Sequence, residues 1–208
     1  MGRLVIAPLL GEFLRRFPLI SVDLLLVDRA VDMVEEDIHL WLRVGHLPDS
    51  QLIARKLAEV QMIVCASPAY LERRGVPRAP ADLKVHDCLV FSDTPGIAVW
   101  RFGRDQKAES RLRISGRAWA NSLDALVTAA EDGAGIVRVP SWQVEAELAE
   151  GRLRRILREH EPAPTPLHVL FQPSRLSSLK TQAFVDFLIE HWRKGDPFAA
   201  RFDHRENG

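Results

Sequence analysis

The chain has 208 residues, enough for one large domain or two small lobes that each bury a core. With 47% apolar and 27% charged residues it has the composition of a globular protein and not of a disordered one. Lys plus Arg and Asp plus Glu each number 28; the resulting zero net charge argues against direct DNA binding by these residues, because phosphate recognition calls for a basic surplus.

Residues 4–7 read as a short apolar strand stopped at Pro8. Leu9, Leu10, Phe13, Leu14 and Phe17 recur at helical spacing, and Pro18 closes that helix. Ile20, Val22, Leu24 and Leu26 alternate as in a strand. Residues 32–37 read as a short polar helix with Met33 and Val34 turned inward, and Ile38, Leu40, Leu42 and Val44 alternate again up to Gly45. This succession predicts a β-α-β-α-β unit with a parallel sheet. A loop at 47–50 precedes extended stretches at 52–57 and 62–66.

Helical pieces at 68–74 and 80–85 lead to short strands at 88–91 and 99–102, and then to an alternating stretch from Leu112 to Ala120. Asn121 or Ser122 caps a helix carrying Leu123, Leu126, Val127 and Ala130. Gly133 and Gly135 stop that helix, and the strand at 136–139 ends at Pro140. A helix at 142–149 stops at Gly151, and 153–157 is extended. The run Glu-Pro-Ala-Pro-Thr-Pro at 161–166 is a stiff linker. A strand at 167–171 is broken by Pro173, and Leu179, Phe184, Phe187, Leu188 and Trp192 mark a terminal helix. The tail after Gly195 is polar and reads as frayed.

Chemical signatures are sparse. The sequence has no G-x-S-x-G, no G-x-x-x-x-G-K-[ST] and no H-E-x-x-H, and its seven histidines show no ligand spacing, so no catalytic residue, metal or cofactor is expected. Gly133-Ala134-Gly135 follows a helix and precedes a strand, the reverse of a dinucleotide loop, and reads as a helix stop. Cys65 and Cys88 lie in apolar runs and read as small buried hydrophobes. The four arginines between 152 and 158 read as a solvated strand edge. No apolar run is long enough to cross a membrane, and the start lacks the apolar region and cleavage site of a signal peptide. Met1-Gly2 resembles a myristoylation start, but Ile6 stands where Ser or Thr is needed. A cytoplasmic protein is expected.

Two places offer ligand contacts. Arg43 lies on the non-core phase of its strand, with His39 and Trp41, and at the strand's end it would reach the crevice where parallel sheets bind ligands. Asn121-Ser122 serves either as a cap alone or as a set of donors at a helix start. The stretch "CASPAYLERRGVPRAPADLKVHDCLVF", Cys65 to Phe91, poses a further question. It either performs chemistry or carries the chain from one half of the molecule to the other.

The segments "GRLVIAPLLGEFLRRFPLISVDL", "LRVGHLPDSQLIARKL", "CASPAYLERRGVPRAPADLKVHDCLVF", "NSLDALVTAAEDGAGIVRVP", "LAEGRLRRIL" and "FVDFLIEHW" stand in one order that resembles the effector-binding region of LysR-type transcriptional regulators, over about residues 2–193. His39-Leu40-Trp41 departs from the Asp-Leu-Ala usual at that point.

The resemblance implies an α/β fold like the type II periplasmic binding proteins: two Rossmann-like lobes joined by two crossover strands. Lobe I would comprise 1–66 and 172–195, lobe II 67–171 with crossovers near 62–66 and 167–171, and 196–208 would be a tail. The stretch from Cys65 would then be hinge and lobe entry. The implied function is effector sensing, with a small and possibly anionic molecule in the interlobe cleft, contacted by Pro8, Leu9, Arg43, Gly45, Asn121, Ser122, Val139 and Pro140.

No enzymatic activity is implied. The implied assembly is a homodimer, and a tetramer in the full-length regulator, with DNA contacted only through an N-terminal winged helix-turn-helix that this chain lacks. The chain would then be a fragment of a longer protein. A solute-binding protein of a transporter shares the fold and stands as the alternative.

Overall fold

The computed structural model describes residues 1–27, 31–45, 51–92, 94–103, 110–175 and 178–194. The loop expected at 47–50 and the tail after Gly195 lie outside these residues. The strands are β1 (Trp41–Val44), β2 (Ile53–Val60), β3 (Met62–Ala66), β4 (Cys88–Phe91), β5 (Ile97–Phe102), β6 (Ser110–Ala120), β7 (Ile136–Pro140), β8 (Arg154–Ile156) and β9 (Thr165–Phe171). The α-helices are α1 (Ala7–Arg16), α2 (Pro68–Arg74), α3 (Leu123–Glu131), α4 (Glu145–Ala149) and α5 (Leu179–Lys194). The chain divides into two compact units, one of Met1–Val60 with the chain from Thr165 onward, the other of Gln61–Pro164. The passages between units fall a few residues earlier than expected. Among the described residues, β3 pairs only with β7 and β8 of the second unit, and β9 only with β1 and β2 of the first.

The first unit corrects several expectations. Residues 4–7 are not a strand: Gly2–Ile6 is a turn of π-helix running directly into α1, and the Ala7 N–H donates to the Gly2 carbonyl. Val5 and Ile6 are both buried, which consecutive residues of a strand cannot achieve on one face. α1 ends at Phe17, because the residue before a proline is pushed out of the helical region. Its Phe13 is wholly buried against Phe17 and against Phe184 and Phe187 of α5.

The alternating stretch at 20–26 joins no strand ladder among the described residues, and residues 33–37 form turns instead of a helix. Asp32 Oδ1 accepts the N–H groups of Val34 and Glu35, which holds the turn; Met33 points inward but Val34 is exposed. The sheet is antiparallel, in the order β1-β9-β2, where a parallel one was expected. Its central strand comes from the far end of the sequence. Leu40, Leu42, Ile53, Leu57, Val169, Phe171, Val185 and Ile189 form its apolar contacts.

In the second unit the expected elements appear close to their expected places. The sheet order is β5-β6-β4-β7-β3-β8, with β4 parallel to both β6 and β7. Alternation along the strands sends side chains to two faces, and each face has its own core. Val64, Cys88, Val90 and Ile136 pack with Tyr70, Leu71, Leu83, Trp100, Phe102 and Ile114 on one side. Ile63, Cys65, Leu89, Val137 and Val139 pack with Leu126, Val127, Ala130, Val144 and Leu153 on the other. Gly135 is required just before β7: a Cβ there would lie 2.3 Å from the Asp87 carbonyl, which accepts the Ile136 N–H. The fold is mixed α/β, and no helix among the described residues is long and apolar enough to cross a membrane.

Candidate functional site

Because β4, β6 and β7 are parallel, their carboxyl ends share one edge of the second unit's sheet. Ser92 follows β4 and donates its N–H to the Ala120 carbonyl at the end of β6. Asn121 comes next and is exposed. Ser122 is the cap of α3: its Oγ accepts the Ala125 N–H at 3.4 Å, and its carbonyl accepts the Leu126 N–H. Of the two residues expected to cap, Ser122 does so. Val139 and Pro140 close β7 at the same edge, paired with Ile63 and Met62. Val139 is fully buried in the core with residues of α3 and presents nothing at the surface.

Two contacts that sequence spacing does not reveal brace this edge. Gln143, buried after β7, donates to Asp124 Oδ1 in the first turn of α3 at 2.7 Å. Gln61 donates through Nε2 to the carbonyls of Met62 and Pro162. The chain therefore enters and leaves the second unit at the edge that carries Asn121 and Ser122. The Gln143–Asp124 and Gln61–Pro162 contacts have no sequence signal, since each joins residues that only the tertiary fold brings together.

The remaining expected residues belong to the first unit. Pro8 and Leu9 lie in the first turn of α1, with Pro8 exposed. The π-turn ahead of them occupies the Ala7 N–H, which donates to the Gly2 carbonyl. Arg43 sits on an antiparallel strand opposite His168, with its guanidinium 5.0 Å from the centre of the Trp41 ring. Gly45 has φ 127° and donates its N–H to the Pro166 carbonyl, a conformation that favours glycine at the strand's end.

The stretch from Cys65 to Phe91 performs structural work. Ser67 caps α2 through the Tyr70 N–H. Tyr70 is fully buried; its hydroxyl accepts the Asp87 N–H at 2.8 Å and lies 3.1 Å from His86 Nδ1. Burial, aided by nearby carboxylates, pushes the thiols of Cys65 and Cys88 up to about 12, so neither is a thiolate at neutral pH. Two of the arginines between 152 and 158 are engaged in ion pairs: Arg152 pairs with Glu131, Glu147 and Glu150, and Arg155 makes a bidentate pair with the buried Glu161. Among the described residues no cluster of His, Cys, Asp and Glu has the arrangement of a metal site.

Comparison with known proteins agrees with this architecture. The regulatory domain of CrgA, a LysR-type transcriptional regulator from Neisseria meningitidis, superposes with a TM-score of 0.78 at 30% identity, covering 92% of this chain and 93% of that one. The longer CrgA structure gives 0.80 at 31% identity, covering 92% of this chain and 65% of that one. The HTH-type transcriptional activator AaeR of Escherichia coli K12 is 32% identical over 192 residues, 92% of this chain and 62% of that protein. The chain thus spans less than two thirds of that regulator's length. Its α/β fold is that of LysR regulatory domains, of the type II periplasmic-binding-protein kind. Residues 1–193 match the family of the LysR substrate binding domain, and the chain belongs to that family as an effector-binding regulatory domain.

Proposed function

We propose that a small metabolite with anionic, hydrogen-bonding groups binds at the carboxyl edge of the second unit's parallel strands, and that its binding adjusts the DNA affinity of a longer regulator. One observation carries the reading. Asn121, the Ser122 cap and Pro140 lie together where parallel strands end, the position at which open α/β sheets take ligands, and the chain enters and leaves the unit at that same edge. A ligand that prefers one of two regulator states shifts their balance by its differential affinity, a coupling of about 1–3 kcal/mol in typical cases.

Pro8, Leu9, Arg43 and Gly45 enter the proposal as contacts of the first unit on the strength of the family resemblance, Arg43 as a bidentate partner for a carboxylate. Val139 and Pro140, both buried, enter it as the residues that shape the edge from beneath. In this reading the protein works in the cytoplasm as a homodimer, and as a tetramer when full length, and it touches DNA only through an N-terminal domain. Its role is sensing and not turnover, in keeping with two cysteines held as thiols. Relatives that are transcriptional regulators favour this reading over a transporter's solute-binding protein.

A thermal-shift screen of small organic acids, followed by calorimetric titration of the hit, tests the placement. Asn121→Ala and Ser122→Ala each weaken binding by about threefold to tenfold, the loss of one hydrogen bond. Ser122→Ala also removes a cap worth about 1 kcal/mol, so melting point and affinity are measured separately. If both variants remain folded and bind as tightly as wild type, the placement is wrong.

A further inference from the structure

At the opposite end of the same parallel strands, an open pocket of about 540 Å³ is lined by Arg73, Arg74, Asp87, Arg117, Gly133 and Ala134. Asp87 immediately precedes β4, and Gly133 and Ala134 lie in the turn just ahead of β7, so this pocket lies a strand's length, roughly 15 Å, from Asn121 and Ser122. Each guanidinium is oriented by a hydrogen bond. Arg73 donates to the Gly133 carbonyl at 2.8 Å, Arg74 to the Val85 carbonyl at 2.9 Å, and Arg117 to Asp87 Oδ1 at 2.9 Å. A guanidinium has more N–H groups than the one used here, so each arginine is held in place with donors to spare. Three cations against one carboxylate leave the lining two positive charges in excess. His86 behind the pocket is held below the usual imidazole range by burial and then by the charge of Arg74.

We propose that this pocket is a second ligand site and takes the phosphate group of a small phosphorylated metabolite. A planar carboxylate is satisfied by one bidentate guanidinium, whereas three pinned guanidiniums around one space match the several oxygens of a tetrahedral phosphate. The two excess charges match a phosphate monoester, which is close to a dianion above pH 7. The volume leaves room for an organic group of sugar size beside the phosphate. Gly133, with φ 79°, brings the turn carbonyl to Arg73 in a conformation that a side chain would strain.

The site stands apart from the effector edge, and its test needs no knowledge of the effector. Inorganic phosphate, phenyl phosphate and acetate are titrated at constant ionic strength near pH 7.5. Backbone amide shifts of Gly133 and Ala134 report binding. Both phosphates are expected to give saturable shifts there and none at Asn121, with acetate far weaker. Arg74→Ala and Arg117→Ala each weaken phosphate by about tenfold or more. Asp87→Asn tightens it by roughly threefold, because a competing carboxylate charge is removed, and a gain in affinity cannot arise from unfolding. Arg113→Ala, on the exposed face of β6, serves as the charge control. Linear unsaturated shifts, equal binding of acetate, or an equal loss in Arg113→Ala would overturn the proposal.

Discussion

The two units differ in how the chain builds them. The second is one unbroken stretch, Gln61–Pro164, which supplies every strand of its own sheet. The first is assembled from two stretches with the whole second unit between them, and its central strand β9 arrives from the later one. A unit whose sheet is completed locally carries its own instructions; one whose central strand is supplied from afar does not. The largest expected effect follows from this. A fragment of residues 61–164 folds cooperatively, with protected amides in β3, β4 and β7. A fragment of residues 1–60 does not form its sheet, because β1 and β2 pair only through β9. Circular dichroism melting and hydrogen exchange of the two fragments decide this, and an ordered β1–β2 pair in the shorter one would break the comparison.

The same contrast explains how far the sequence could be read. From Met62 to Ile156 the turn signals sit at the right places: Ser67-Pro68, Pro80, Ser122, Gly133 and Gly151 each open or close an element. In the first unit the signal is ambiguous. A run as short as 4–7 cannot be assigned to strand or helix by periodicity, and here it is helical. The alternation at 20–26 is that of a strand, yet the stretch finds no ladder. Whether a strand forms there depends on partners, and the partner β9 lies beyond another whole unit. Of the candidate ligand residues, Ser122 was legible because a serine before an apolar helical run is a cap. The pocket of Arg73, Arg74 and Arg117 was not, because these arginines meet only through the packing of α2 against β4 and β6.

The closure of the second unit comes next in size. Arg155 on β8 clasps Glu161, which is 2% exposed, through two hydrogen bonds just before the chain leaves the unit. Glu161→Ala strands a guanidinium in a dry site and is expected to cost about 3–5 kcal/mol in urea unfolding. A loss below about 1 kcal/mol would mean that water reaches Arg155 freely.

The entry to the second unit is smaller in effect. Tyr70→Phe leaves the buried ring in place but removes the hydroxyl that accepts the Asp87 N–H. The expected cost is about 1–3 kcal/mol, that of an unsatisfied buried donor. An unchanged urea midpoint would show that another acceptor reaches the Asp87 N–H.

His86 gives the smallest effect and a definite sign. Asp87 donates to the Tyr70 hydroxyl, which leaves the hydroxyl hydrogen for His86 Nδ1, so the folded state uses neutral imidazole. Burial first, and Arg74 second, hold its pKa below the usual range. Unfolding therefore takes up a proton on acidification. The stability this group contributes is present above the usual imidazole range and is lost as pH falls through its folded value. Between about pH 7.5 and pH 5 the wild type should lose more stability than His86→Gln does. Parallel pH profiles for the two would show that His86 is not coupled to the fold.

The central claim is that the effector engages the carboxyl edge of the second unit, and amide hydrogen exchange with and without a saturating effector tests it most directly. Added protection is expected at the start of α3, from Leu123 to Ala125, and at Ser141 after β7, with Gly133 and Ala134 unchanged. Protection confined to Gly133 and Ala134, or to the first unit alone, would contradict it.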